Sequence, residues 1–190
     1  MENRSYETTA RKMDTMPPGI PYIIGNEAAE RFSFYGMRTI LTIFMVNYLW
    51  LMGSSPIERM TDTVAKTQFH NFVSLVYFTP IAGALLADLF FGKYRVIVLL
   101  SIVYCLGHGA LAIMGMWGEA SFWLMMGLWL IAIGSGGIKP CVSAHVGDQF
   151  GSQNLHLLPR IFNWFYWSIN LGAFLSTLLT PWLLEWYGPH

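Results

Sequence analysis

Charge is what this sequence has least of. Asp, Glu, Lys and Arg make up 12% of its 190 residues, about half the share usual in a soluble domain. Eleven basic and eleven acidic residues cancel to a net charge of zero, so there is no overall field to draw a nucleic acid or an acidic partner. Cysteine is also scarce. Cys105 and Cys141 form neither a disulfide framework nor a metal-ligand spacing, and both read as packing residues within apolar stretches. No Gly-Lys-Ser/Thr phosphate loop is present. Nor is there a nucleophile–base–acid set in a soluble-enzyme context, and the chain reads as a non-enzyme without a cofactor. A secretory leader is not evident. Residues 1–20 mix Arg4, Arg11 and Lys12 with Glu2, Glu7 and Asp14 and end at Pro17-Pro18-Gly19, without an apolar stretch or a small-residue cleavage site. They are expected to form a polar tail.

Apolar residues fill the space that charge leaves. They reach 54% of the chain, and the mean hydropathy is +0.44. A bilayer core about 30 Å thick takes roughly 20 mainly apolar residues per helix. Segments near 21–50, 68–91, 95–117, 121–147 and 161–184 satisfy that. In hydrocarbon the backbone must bond within its own segment, so such spans are helices. The expected fold class is therefore an all-α integral membrane protein with about five transmembrane helices. Lys and Arg are concentrated in the tail, the 92–95 turn and the 148–160 loop, as Arg4, Arg11, Lys12, Lys93, Arg95 and Arg160. Arg59 and Lys66 alone occupy the opposite side, which places the N-terminus and these turns in the cytoplasm. Trp50, Trp117, Trp182 and Trp186 fall near the other interface, where an aromatic belt belongs.

The first segment is the anomaly, because its early half carries Glu27, Glu30, Arg31 and Arg38. Charge at membrane depth costs at least about 2.5 kcal/mol per residue and marks a functional site by default. At about 100° per residue, Glu27, Arg31, Phe34 and Arg38 fall within roughly 60° of one another, with Glu30 and Tyr35 flanking them. Arg38 lies roughly 12 Å further along the helix than Glu30. These four charges sum to zero, so structural ion pairing is one reading. Lys139 argues for more, since it lies deep in the fourth span without an acid nearby in its own helix. Its partner must be a carboxylate on another helix or on a ligand.

Two polar stripes accompany these charges. His70, Ser74 and Tyr77 share a face of the second span, and Asn163, Tyr166, Asn170 and Thr177 share one in the fifth. Interhelical hydrogen bonding explains such stripes in general, but His70 can also change charge near physiological pH. Gly134, Gly136 and Gly137 would let helices approach closely, and Pro140 is placed to kink the helix beside Lys139.

These residues, in this order, resemble the proton-coupled oligopeptide transporter family of the major facilitator superfamily, over nearly all of residues 22–181. Glu27-Ala-Ala-Glu30-Arg31-Phe-Ser-Phe-Tyr35-Gly-Met-Arg38 resembles the family's first-helix signature. Gly137-Ile-Lys139-Pro140 through Gly147-Asp148-Gln149-Phe150 resembles its fourth-helix segment, and Phe165-Tyr166-Trp167-Ser168-Ile169-Asn170-Leu171-Gly172 its fifth-helix signature. Gly83, Asp88, Gly92, Lys93 and Arg95 are similar to the superfamily's packing and gating loop between helices two and three. Phe34 departs from the pattern, standing where the family has the first of two tyrosines.

The resemblance implies proton-coupled symport of di- and tripeptides across the cytoplasmic membrane, with protons as the coupling ion. It implies that Arg38 and Lys139 attract the peptide carboxylate and that Tyr35, Tyr77 and Asn170 contact the peptide. Glu27, Glu30, Arg31 and His70 would couple proton binding to helix movement, with Glu30 a partner of Lys139. Residues 21–190 would form helices one to five of an incomplete N-terminal six-helix bundle, lying in membrane lipid and completed by a missing C-terminal half. Because alternating access needs two bundles about a central site, the 190 residues alone are expected not to transport. Two alternatives stay open: a carrier of nitrate or another small anion on the same cations, and a non-transporting membrane receptor or scaffold.

Overall fold

The computed structural model describes residues 9–52 and 59–188, so Glu2, Arg4, Glu7, Pro189 and His190 lie outside the described residues. Five long helices run alternately up and down: α1 (Ile20–Asn47), α2 (Asp62–Leu86), α3 (Lys93–Ala112), α4 (Ala120–Asp148) and α5 (Leu158–Tyr187). α2 to α5 are long and apolar enough to cross a membrane. α1, at 28 residues, has the length, and its four charges are what lower its hydropathy.

Local chemistry sets the ends. The Thr61 side chain caps α2 by accepting the Val64 amide, and Asp62 sits in the first turn, where negative charge suits the helix dipole. α2 therefore begins six residues before the apolar run that marks it in the sequence. Pro21 and Pro159 occupy first-turn positions of α1 and α5, where a missing N–H is harmless. α2 ends in a widened turn over Ala87–Phe91, and Gly92 at φ +78° reverses the chain directly into α3. α3 stops at Ala112 rather than near 117, because Gly115 and Gly118, both at positive φ, form the reversal into α4.

α4 lies against both α2 and α3, while α1 pairs mainly with α5. The α2–α4 crossing is a backbone contact. A Cβ on Gly83 would collide with the Gly137 backbone, the Cys141 thiol donates to the Gly83 carbonyl at 3.7 Å, and the Thr79 hydroxyl donates to the Ala132 carbonyl at 2.9 Å. Gly134 and Gly136 likewise leave room for the Tyr104 backbone and the Thr79 side chain. α4 runs unbroken through Pro140. Cys141 packs as expected, but Cys105 does not, being exposed on α3.

Large apolar side chains such as Phe78, Ile81, Leu89, Phe90, Leu106, Trp129 and Leu178 point outward. An apolar exterior of this extent is the surface of a protein solvated by lipid. Trp50, Trp117, Trp182 and Trp186 are all exposed near one end of the bundle. At the other end, Asp88, Gly92, Lys93 and Arg95 join His145 and Asp148 of α4 and Arg11 of the tail around a groove of about 970 Å³. There Lys93 reaches Asp148 at 2.7 Å. Asn154, fully buried, ties the tail down by donating to the Thr15 carbonyl at 3.0 Å.

Candidate functional site

α1 holds the charged cluster, and its first three charges are in contact with one another, although Glu30 Oε2 lacks a hydrogen bond. The Arg31 guanidinium grips Glu27 twice, donating through Nε at 2.7 Å and lying 2.6 Å away through Nη2. Its Nη1 is 3.2 Å from Glu30 Oε2. Glu27, Glu30 and Arg31 are 2%, 9% and 7% exposed, so two carboxylates and one guanidinium share an interior site. Spacings of three and four residues along one helix make this possible, and the fork geometry of Arg lets it serve both acids.

Neighbouring helices fix Glu30 from two directions. The Ser135 hydroxyl of α4 donates to Glu30 Oε1 at 2.5 Å. The Ser33 hydroxyl of α1 and the Tyr104 phenol of α3 hydrogen-bond each other at 2.5 Å and lie 3.0 and 3.2 Å from the Glu30 carbonyl, which accepts from the hydroxyl whose proton is left free. Neither Ser135, Ser33 nor Tyr104 stands out in the sequence. Ser135 sits in a Gly-Ser-Gly-Gly run that reads as a close-packing stretch.

Lys139 is placed differently from its sequence expectation. Among the described residues no carboxylate lies within 4 Å of it, and Glu30 is engaged with Arg31 and Ser135 instead. The ammonium sits over the Phe34 ring at 5.1 Å and the Tyr77 ring at 6.0 Å. Arg38 leans in the same way on Phe69, its guanidinium 5.7 Å from the ring centroid. Phe34 is buried, with Tyr35 edge-on at 5.5 Å and Phe72 at 6.0 Å. The structure thus gathers Arg38, Lys139, Phe34, Tyr35 and Tyr77 between α1, α2 and α4, with both cations resting on aromatic faces.

The remaining sequence candidates line open faces. Tyr77 and His70 are exposed on α2, and His70 packs edge-on to Phe69. Asn170 is exposed on α5, its amide donating to the Tyr166 carbonyl at 2.8 Å. Gly83, Asp88, Gly92, Lys93 and Arg95 lie at the crossing and end groove described above, away from the charged cluster.

An up-and-down bundle of membrane-length helices with a buried charge cluster, and two cations seated on aromatic rings, defines a polytopic membrane protein. Comparison with known proteins narrows the class. The sequence profile of the POT family (PTR2) matches residues 94–190, half of the chain, and the chain belongs to that family. Solute carrier family 15 member 2 of Danio rerio is 44% identical over 170 residues, covering 87% of this chain and 22% of its own length. Peptide transporter family 1 of Drosophila melanogaster is 45% identical over 172 residues, with the same coverages of 87% and 22%. Among solved structures, the POT family transporter PepTSo superposes with a TM-score of 0.82 at 46% identity, over 92% of this chain and 34% of that one. A mutant POT peptide transporter in complex with alafosfalin gives 0.80 at 31% identity, over 95% and 36%. The chain therefore spans about a fifth of the length of these curated relatives and about a third of the solved chains. These relatives are transporters rather than enzymes.

Proposed function

We propose that the protein carries di- and tripeptides together with protons across the cytoplasmic membrane, and that this chain supplies five helices of the N-terminal bundle. The observation that carries this reading is Lys139. It is a cation at membrane depth that rests on two aromatic rings, with no carboxylate within 4 Å among the described residues. A carboxylate on a ligand is a stronger partner for an ammonium than a ring face. Arg38, leaning on Phe69, offers a second cation on the same side. Tyr35, Tyr77 and Asn170 would supply polar contacts to the peptide.

Charge balance links substrate to proton. Glu27, Glu30, Arg31, Arg38 and Lys139 together carry a net charge of +1 when all are ionised. A peptide carboxylate at Lys139 and Arg38 cancels positive charge that faces Glu30, which makes a proton at Glu30 easier to add. Each event makes the other easier, and the linkage is reciprocal. Glu30 is favoured over Glu27 as the proton carrier because Arg31 grips Glu27 through two nitrogens and Glu30 through one. His70, exposed on α2, completes the residues we assign to proton coupling.

The test uses the protein at the full length its gene encodes, reconstituted in proteoliposomes. Uptake of a fluorescent dipeptide is expected to rise with an inward proton gradient and to be unaffected by nitrate. Glu30→Gln should abolish uphill uptake while leaving counterflow exchange. Uphill uptake by Glu30→Gln would remove Glu30 from the mechanism, and competition by nitrate alone would replace peptide as the substrate.

A further inference from the structure

We infer that Ser135 is a positioning residue for Glu30, holding its carboxyl group against α4 in both the charged and the protonated state; this rests on the reading of Glu30 as the proton carrier. Within helices, Ser and Thr hydroxyls ordinarily bond a carbonyl three or four residues back. Ser143, Ser168, Ser176 and Thr177 all do so here. Ser135 does not. Fully buried at 0% exposure, it donates across the α1–α4 interface to Glu30 Oε1 at 2.5 Å, to a residue 105 positions away in sequence.

The surroundings explain why a hydroxyl suits this place. Glu30 is faced by Glu27 and Arg31 from its own helix, by Ser135 and Lys139 from α4, and by the Tyr104 phenol from α3, which lies against its main-chain carbonyl. The main chain at Glu30 is thus fixed independently of its side chain. Arg31 and Lys139 can only donate, so their hold weakens once Glu30 is neutral. A serine hydroxyl has one donor and two acceptor lone pairs. It donates to the carboxylate, and on rotation it accepts from the carboxylic acid. It is the contact at this carboxyl group that can serve either protonation state, as donor to the one and acceptor from the other. Ser135 also precedes Lys139 by four residues, one turn along the same face of α4. Glu30 therefore stays beside α4 as its charge changes, and the change is felt by Arg31 and Lys139 rather than being lost as Glu30 swings away.

The experiment compares wild type, Ser135→Ala, Ser135→Thr and Glu30→Gln at the full length the gene encodes. Infrared difference spectra across pH report the carbonyl stretch of protonated Glu30, identified as the band absent in Glu30→Gln. In Ser135→Ala that band is expected at higher frequency, because a hydrogen bond to the acid is gone, and in Ser135→Thr it should stay within the wild-type width. In proteoliposomes, the ratio of proton-driven accumulation to counterflow exchange should fall about tenfold in Ser135→Ala, the equivalent of losing one hydrogen bond to a charged group. Ser135→Thr should restore it. An unshifted band in Ser135→Ala overturns the inference, whatever transport shows. If wild type shows no proton-driven uptake at all, the transport reading fails, and the band alone then decides whether Ser135 holds Glu30 in both states.

Discussion

Arg31 is the residue on which the interior of α1 depends, and Arg31→Met is the sharpest test of that. The substitution keeps an unbranched side chain of similar reach but strands Glu27 and Glu30, at 2% and 9% exposure, without a guanidinium. Three contacts vanish, two at 2.6–2.7 Å and one at 3.2 Å. Removing one partner from a buried ionic group costs about 3–5 kcal/mol, because the remaining charge is left uncompensated. That is a loss of roughly 10² to 4 × 10³ in the folded-to-unfolded ratio. At about 2–4 °C per kcal/mol for a chain of this size, the melting temperature should drop by roughly 6–20 °C. A thiol-reactive dye reads the transition in detergent, since Cys141 is buried and becomes reactive on unfolding. Cys105, which is exposed, is first replaced by Ser. The double variant Arg31→Met/Glu27→Gln should recover at least half of the loss, because one of the two stranded carboxylates is gone. A drop under about 2 °C, or additivity in the double variant, would refute the buried-triad account.

Other expectations follow from particular contacts. Phe34→Leu and Lys139→Met should show a coupling of about 0.5–2 kcal/mol in a thermal double-mutant cycle, while Phe34→Tyr keeps the ring and the coupling; strict additivity would mean the ring does not hold the ammonium. Gly83→Ala should cost about 1–3 kcal/mol by the same dye assay, since its methyl group meets the Gly137 backbone and not a flexible side-chain end. Unchanged stability there would mean α2 and α4 are not in backbone contact. Lys93→Ala should cost no more than about 1 kcal/mol and lose its effect in high salt, because the pair with Asp148 is 33% and 51% exposed. A larger, salt-independent loss would show a buried interaction.

The sequence made visible whatever lies within one helix. Five apolar segments, the i,i+4 relation of Glu27 to Arg31, and the isolation of Lys139 from acids in its own helix all follow from length and a period of 3.6. Helix ends were less legible where hydropathy and capping diverge: α2 starts at the Thr61 cap, well before its apolar run. Relations across helices were the hardest to see. That Glu30 bonds Ser135, 105 residues away, depends on how far α1 slides along α4. The close backbone approaches lie at other crossings, with Gly83 and Gly136 between α2 and α4 and Gly172 of α5 against the Ala28 carbonyl of α1, so none of them reads out the α1–α4 register directly. The expected Glu30–Lys139 pair was chemically reasonable, and in the structure Glu30 lies against Arg31 and Ser135 instead, with its Oε2 lacking a hydrogen bond.

On the proposed function, the aromatic seats of Lys139 and Arg38 bear on how a peptide carboxylate would be taken up. A cation paired to a protein carboxylate would have to break a charge-assisted bond before it could take a substrate. A cation left bare at membrane depth would be costly to hold. A ring face lies between these limits, worth about 0.5–2 kcal/mol for a partly desolvated cation, which stabilises the ammonium yet yields to an incoming carboxylate. Phe34 suits this role without a hydroxyl, because it offers the ring and nothing that could bond the substrate or Lys139 in competition. Arg31 and Ser135 meanwhile hold Glu27 and Glu30 in direct contacts of their own, and the Lys139 ammonium is left on the aromatic rings. On this argument Arg31 and Lys139 are not interchangeable cations: one holds the acidic pair, and the other rests on rings that yield to a carboxylate.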